Sequence, residues 1–162
     1  MIAHELPRAP GTYVLMIQVT RPIVISPGRL GTFRLDEGWY AYVGSARGSG
    51  GLAARVARHL RAPRERRPRW HIDHLTALAP VIYVIWATGN AKRECQWARR
   101  LLALPGSAIP IPRFGASDCH CPTHLIRLKE GMIVSILMQA LRAQEMGLTI
   151  SVIRTTTSPR RT

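Results

Sequence analysis

The chain has few acidic residues: nine Asp and Glu oppose 23 Lys and Arg, which leaves a formal net charge of +14 over 162 residues. This scarcity of negative charge argues against mimicry of an acidic protein and favours a polyanionic partner. Lysine is also scarce, since every cation except Lys92 and Lys129 is an arginine. The planar guanidinium of arginine matches the geometry of phosphate oxygens.

Long apolar runs and cysteines are scarce too. No run approaches the roughly 18 apolar residues of a transmembrane helix, and the N-terminal MIAHELPRAP lacks the apolar centre of a signal peptide. Three cysteines, an odd number, argue against a disulfide scaffold. Because 46% of the residues are hydrophobic, we expect a globular, soluble, cytoplasmic protein with no membrane partner.

The first third of the sequence predicts β-strands. Segments 12–19 and 38–45 are rich in β-branched and aromatic residues, and SPGR at 26–29 is typical of a turn between two short apolar runs. These segments predict an antiparallel meander. Side chains alternate along a strand, so Tyr40 and Tyr42 should share one face.

The rest of the chain alternates between helical and extended patterns. Leu52, Val56 and Leu60 recur at helical spacing and predict a helix over 52–61. Arg55 and His59 fall beside that apolar stripe. The patterns further predict a short helix at 70–78, a strand at 81–88, a helix at 91–104, a loop at 105–125, a helix at 131–147 and a strand at 148–153.

Glu94 shares a side of the 91–104 helix with Trp97 and Leu101. A carboxylate on an apolar face is costly unless it is paired or bound to a metal. The alternative to a metal ligand is a buried salt bridge with Arg93, Arg99 or another neighbour.

Several short motifs follow one another in a fixed order: GTY at 11–13, YVG at 42–44, Leu52-x-x-Arg55-x-x-x-His59, and Glu94 on a later helix. This order resembles the GIY-YIG nuclease superfamily. The wider string GWYAYVGSARGSGGLAARVARHL, followed by RWHIDHL, ECQWA and FGASDCHC, is similar to the stand-alone Uri-like branch. The resemblance covers approximately residues 10–128.

The resemblance implies an α+β fold, a small antiparallel sheet flanked by helices in an α/β sandwich-like arrangement. It also implies hydrolysis of phosphodiester bonds with one divalent ion, Mg²⁺ or Mn²⁺. The implied catalytic residues are Tyr13, Tyr42, Arg55, His59 and Glu94, of which Glu94 is the metal ligand. Two departures stand out: Thr12 replaces an apolar middle residue, and the 28 residues between the tyrosines (14–41) predict an extra hairpin.

The chemistry of these residue types agrees with that implication. Arg55 supplies a permanent planar charge for a phosphate, and Glu94 supplies a hard oxygen ligand of the kind Mg²⁺ takes. Tyrosine is a poor base, because its ordinary pKa is about 10. Tyr13 would therefore need the metal or nearby cations to activate water, and His59 could share that role.

Residues 55–69 hold seven arginines opposed only by Glu65. Clustered cations bind a phosphate backbone with salt-dependent affinity, although such runs are often only solvated faces. We predict a surface for DNA, single- or double-stranded, or for RNA. Apart from Arg55, its residues are Arg58, Arg61, Arg64, Arg66, Arg67 and Arg69, with Trp70 as a stacking platform.

Cys119-x-Cys121-x-x-His124, with Cys95 as a further donor, has ligands for zinc. The C-x-C spacing is tighter than the usual C-x₂₋₄-C. The sequence therefore favours packed or partly exposed thiols near the active face over a zinc site. In WHIDHL, buried hydrogen-bonding roles are favoured for His71, Asp73 and His74, and Asp73 is a second-choice metal ligand.

The sequence thus predicts a metal-dependent endonuclease that acts on DNA, in repair or in the processing of foreign DNA. Two alternatives are a non-catalytic nucleic-acid-binding module with the same fold and a small basic ribosome-associated protein. We expect a nuclease domain at 1–128, a helix-strand extension at 129–154 packed on it, and a flexible tail at 155–162. The apolar stripe of the last helix favours core packing over a dimer seam.

Overall fold

The computed structural model describes residues 5–61, 67–143 and 145–155. In these residues a mixed α+β fold contains a five-stranded sheet, a two-stranded sheet and four α-helices. The elements in chain order are β1 (Gly11–Val19), β2 (Ile23–Ile25), a 3₁₀ turn (Gly28–Leu30), β3 (Phe33–Leu35), β4 (Gly38–Ala46), α1 (Gly51–Leu60), α2 (His71–Thr76), β5 (Val81–Thr88), α3 (Glu94–Leu102), β6 (Leu125–Arg127), α4 (Val134–Arg142) and β7 (Ser151–Arg154).

The larger sheet is antiparallel throughout, with the strand order β6-β4-β1-β5-β7. β1 lies at its centre and is buried along nearly its whole length, which explains why its sequence is almost continuously apolar. β4 pairs with β1 so that Tyr13 lies opposite Gly44 and Leu15 opposite Tyr42. This register places the two motif tyrosines diagonally on one face of the sheet.

The predicted α+β class is confirmed, and so is the extra hairpin, because β2 pairs only with β3 in a separate sheet. The predicted meander is wrong, since β1 pairs directly with β4 and β5. The predicted 105–125 loop ends in β6, which begins at Leu125, and both later helices are shorter than expected. A three-residue strand shows too little periodicity to be recognised.

The sheet separates two hydrophobic clusters. One holds Tyr13 and Tyr40 with residues of α1 and α2, and the other holds Ala41 and Val43 with residues of α3 and α4. The alternation predicted for β4 is thus observed. Leu137 of α4 is fully buried in the second cluster, as core packing requires, and β7 extends the sheet beside β5.

The predicted boundaries at residues 128 and 154 remain predictions, and the proposed tail beyond Thr155 lies outside the described residues. Within the described ranges, no helix combines the length and the apolar character needed to cross a membrane.

Candidate active site

Both motif glycines lie where the packing has no room for a side chain. A Cβ on Gly44 would lie 2.5 Å from the Tyr13 hydroxyl oxygen, because the Tyr13 ring crosses the backbone of β4. A Cβ on Gly11 would lie 2.4 Å from the carbonyl oxygen of Ala87 and 2.7 Å from Cδ1 of Leu52. Glycine at these positions lets β1 approach β5 and α1 closely and lets the Tyr13 ring lie flat on the sheet.

Tyr13 and His59 form a buried pair between β1 and α1. The Tyr13 hydroxyl lies 2.7 Å from Nε2 of His59, and both side chains are nearly inaccessible to solvent. Burial raises the pKa of Tyr13 well above its ordinary value, the Tyr42 and Glu94 charges raise it further, and Arg55 lowers it. At neutral pH Tyr13 is therefore a neutral hydroxyl with a histidine nitrogen in hydrogen-bond contact.

Tyr42 is partly exposed and lies beside the same histidine. Its ring meets His59 edge-on, with 6.3 Å between centroids, and lies 6.0 Å from the ring of Phe114. Burial and then the nearby charge of Glu94 raise the pKa of Tyr42. A Cβ on Gly115 would lie 2.9 Å from Cε2 of Tyr42, so the loop before β6 closes directly over this tyrosine.

Ser45 connects the arginine and the carboxylate of the site. Nη1 of Arg55 donates to the carbonyl oxygen of Ser45 at 3.1 Å, and the Ser45 hydroxyl donates to Oε1 of Glu94. The charge of Arg55 also lowers the pKa of Tyr13. Ser45 is not recognisable from the sequence, because its role depends on which helices flank the end of β4 and no spacing in the sequence shows that.

Glu94 is the first residue of α3, and its side chain is 33% exposed. Among the described residues, no Lys or Arg nitrogen lies within 4.0 Å of its carboxylate. The alternative of a salt bridge with Arg93 is not observed, because Arg93 binds Glu145 at 2.9 Å. An accessible carboxylate without a neighbouring cation fits a single hard divalent ion.

The candidate catalytic residues come from both faces of the sheet and meet at the end of β4. The tyrosines, Arg55 and His59 belong to the face covered by α1, whereas Glu94 belongs to α3 on the other face. β6 pairs with β4 only over Tyr40, Ala41 and Tyr42, so the end of β4 extends past it. There the Arg55–Ser45–Glu94 contacts join the two faces.

Arg58, predicted to bind nucleic acid, makes a structural ion pair. Its two terminal nitrogens each lie 3.0 Å from an oxygen of Asp73, whose side chain is fully buried. Asp73 also accepts the backbone N–H groups of Arg69 and Trp70 at 2.7 and 2.9 Å. The hydrogen-bonding role predicted for Asp73 is therefore observed, and these partners occupy the oxygens that a metal would need.

The remaining basic residues are exposed or contact the Trp70 ring, and Arg69 does both. Arg61, Arg67 and Arg69 are exposed, whereas Arg64 and Arg66 lie outside the described residues. The Trp70 ring packs against His59 and has the guanidinium carbons of Arg58, Arg55 and Arg69 at 4.0, 4.7 and 5.3 Å from its centroid. Stacking of a base on Trp70 remains a prediction.

The expectation for the thiols has to be revised, because the structure groups them. Ligand atoms of Cys95, Cys119, Cys121 and His124 all lie within 4.8 Å of one another. The tight C-x-C spacing is not decisive, because a further thiol, that of Cys95, reaches the loop from α3. These residues could hold a metal, and three thiols with one imidazole suit zinc more than Mg²⁺.

The neighbouring His71 has the predicted hydrogen-bonding role. Its Nδ1 accepts the N–H of Gly115 at 2.9 Å, which ties α2 to the loop that carries Cys119 and Cys121. Burial, followed by the charge of His74, lowers the pKa of His71. At neutral pH His71 is therefore a neutral acceptor.

No curated protein and no solved structure matches the chain. One family does match: residues 12–146 align with the family described as "Domain of unknown function DUF123". The match begins inside the first tyrosine motif, ends after α4, and includes the five candidate catalytic residues and the Cys/His group. The chain therefore belongs to the DUF123 family.

Proposed function

We propose that this protein is a metal-dependent endonuclease of the GIY-YIG type that hydrolyses phosphodiester bonds in DNA. One observation carries the proposal: Tyr13, Tyr42, Arg55, His59 and Glu94 lie together at the end of β4, with Glu94 raising the pKa of both tyrosines. These five positions are scattered over 82 residues, and among the described residues no Lys or Arg nitrogen lies within 4.0 Å of the Glu94 carboxylate.

Arg55 and Tyr42 are the groups that can bind the scissile phosphate. Both are partly accessible, and a guanidinium already held by the Ser45 carbonyl loses little freedom when it binds a phosphate oxygen. The Tyr42 hydroxyl is a hydrogen-bond donor at neutral pH, because burial raises its pKa. Both donors would stabilise the charge that grows on the phosphate oxygens.

Glu94 would hold one divalent ion, Mg²⁺ or Mn²⁺, with its open carboxylate. Such an ion, when bound, supplies Lewis-acid stabilisation of the phosphoryl oxygens. The Ser45 hydroxyl fixes Oε1 of Glu94 and leaves lone pairs on both carboxylate oxygens for the ion.

The Tyr13–His59 pair would take the proton of the attacking water. A neutral tyrosine cannot accept a proton by itself, but Tyr13 can accept one while it passes its own proton to Nε2 of His59, 2.7 Å away. The pair lies behind the accessible groups, so it acts as a relay. This assigns the base function to the two residues jointly.

A substrate panel tests the proposal. Single-stranded, duplex and branched DNA, and RNA, would be incubated with Mg²⁺, Mn²⁺ or a chelator. We expect cleavage of at least one DNA only with metal, and a loss of about 100-fold in rate for Arg55→Gln. The matched control is Arg99→Gln, an exposed arginine of α3, which should cleave at the wild-type rate.

Binding to these nucleic acids without cleavage of any of them would replace the nuclease with the alternative, a non-catalytic binding module. Equal cleavage rates for Arg55→Gln and Arg99→Gln would show that Arg55 does not contribute to cleavage.

A further inference from the structure

We propose that Cys95, Cys119, Cys121 and His124 bind one zinc ion, and that His124 uses its second ring nitrogen to position Glu94. The zinc site does not depend on the proposed nuclease function. The role of His124 in positioning Glu94 does rest on that function. The structure brings together ligands from two distant segments, the start of α3 and the loop before β6.

The spacing of the ligand atoms fits a tetrahedral ion. Nε2 of His124 lies 3.5 Å from Sγ of Cys119 and 3.8 Å from Sγ of Cys95. Zinc bonds of about 2.3 Å to sulfur and about 2.0 Å to nitrogen place a tetrahedral nitrogen and sulfur roughly 3.5 Å apart and two sulfurs roughly 3.8 Å apart. The observed distances match these edges, and the longest separation in the group, 4.8 Å at most, requires only a small contraction.

The ligands form a closed set. Cys121 and His124 are almost completely buried, at 1% and 3% exposure, and Cys95 and Cys119 are partly buried. Four protein ligands with no open position are typical of a structural zinc site rather than a catalytic one.

The loop is held in place by contacts that need no ion. Arg113 donates to the carbonyl oxygens of Cys121, Ala116 and Cys119 at 2.5 to 2.6 Å. It adopts a left-handed backbone with φ of 66°, which turns the chain so that its own N–H reaches the Pro122 carbonyl at 2.7 Å. Arg113 thus folds the C-x-C segment into a compact turn with both thiols near α3.

The strand beside the loop fixes His124. Its carbonyl oxygen accepts the N–H of Val43, and its own N–H donates to Phe114. Its Nδ1 is buried, has no hydrogen-bond partner among the described residues, and lies 3.6 Å from Oε2 of Glu94. If Nε2 binds zinc, the ring proton must reside on Nδ1, which then becomes a donor 3.6 Å from Oε2 and would reach it with a small movement of the Glu94 side chain.

Glu94 would then be held through both oxygens, by Ser45 at Oε1 and by His124 at Oε2. The zinc ion would not take part in the reaction. It would hold His124 in place, and His124 would in turn hold Glu94, the ligand of the divalent ion. His124 is therefore a positioning residue.

Metal analysis of the full chain tests the zinc half without any nuclease assay. We expect about one zinc per chain after purification without chelators, thiols protected from a thiol reagent, and a thiolate charge-transfer band when Co²⁺ replaces zinc. Cys121→Ser should lose most of the zinc. The matched control is His120→Ala, an exposed residue between the two loop cysteines, which should keep it.

A wild-type chain that binds neither zinc nor Co²⁺ and has three reactive thiols, or a disulfide between two of them, would overturn the site. So would a Cys121→Ser chain with undiminished zinc. The Co²⁺ spectrum of the wild type decides the matter even if the serine variant fails to fold.

His124→Cys tests the positioning half, because a fourth thiol can retain zinc but has no second nitrogen for Glu94. We expect full zinc content and about tenfold weaker binding of Mn²⁺, measured by electron paramagnetic resonance. Unchanged Mn²⁺ affinity at full zinc content would refute the link. If the wild type binds zinc but cleaves no substrate, the nuclease proposal fails and the zinc site stands.

Discussion

At the scale of single residues, the close approach of Tyr13 to Gly44 is the most restrictive feature of the site. The ring can reach His59 only because β4 presents a bare backbone beneath it. The two motifs are thus one packing unit: the glycine of the second creates the space for the tyrosine of the first.

Gly44→Ala should therefore displace the Tyr13 ring. We expect unfolding free energy to fall by about 1–3 kcal/mol from overpacking, measured by urea denaturation, and cleavage to fall with it. Gly48→Ala is the matched control, since in the described part of the chain nothing lies within 4 Å of a Cβ at this position. Equal stability of the two variants would mean that Tyr13 does not rest on Gly44.

The tyrosines also predict how stability depends on pH. Burial raises the pKa of Tyr13 and of Tyr42 in the folded chain. Above about pH 10 the unfolded tyrosines lose protons that the folded ones retain, so stability falls as pH rises, by up to about 1.4 kcal/mol per pH unit for each tyrosine.

The double variant Tyr13→Phe/Tyr42→Phe should lose stability less steeply over this range, as urea titrations between pH 9 and about 11 would show. Parallel curves for the variant and the wild type would contradict the assignment of raised pKa values to these two residues.

At the scale of elements, α1 and α2 are joined by an ion pair rather than by apolar contacts alone. Arg58 of α1 binds the fully buried Asp73 of α2. The spacing of the sequence predicts α1 and the faces of Arg55 and His59 well, because a helix repeats its apolar stripe. It does not reveal the Arg58–Asp73 pair, whose members belong to different helices.

Arg58→Ala should remove the Arg58 charge from the buried Asp73 carboxylate and lower the unfolding free energy by about 3 kcal/mol. Arg61→Ala, one turn later and exposed, serves as the control and should change stability little. Urea denaturation of the two variants decides whether Arg58 stabilises the fold, and similar midpoints would assign it instead to the solvated surface.

The difference between local spacing and contacts between distant elements also explains which parts of the candidate site could be predicted from the sequence. The five candidate catalytic residues lie at spacings that can be recognised in the sequence: Tyr13, Tyr42, Arg55, His59 and Glu94. The sequence names Cys95, Cys119, Cys121 and His124 as possible zinc donors but does not show that they meet, because Cys95 precedes Cys119 by 24 positions and joins it only through the packing of α3 on the sheet.

At the scale of the whole molecule, the net charge of +14 should act mainly through the exposed arginines near the site. Each phosphate contact lowers the slope of log K against log salt by about 0.9 on duplex DNA. Arg61→Gln/Arg67→Gln should therefore flatten this slope by roughly 2, measured by fluorescence anisotropy.

Arg21→Gln/Arg29→Gln, which removes two exposed arginines at the other end of β1 and in the hairpin, is the control of equal charge. The same change of slope in both variants would show that net charge alone, and not the surface after α1, binds the phosphates.

The central claim is that Glu94 holds the ion on which cleavage depends, and one rate tests it. Glu94→Gln has nearly the same shape and can still accept the Ser45 hydrogen bond, so it removes the charge and leaves the fold. In single-turnover cleavage of DNA at saturating Mg²⁺, we predict a rate at least about 100-fold below wild type, with Glu130→Gln, an exposed glutamate, unaffected. A Glu94→Gln rate equal to that of Glu130→Gln would contradict the account.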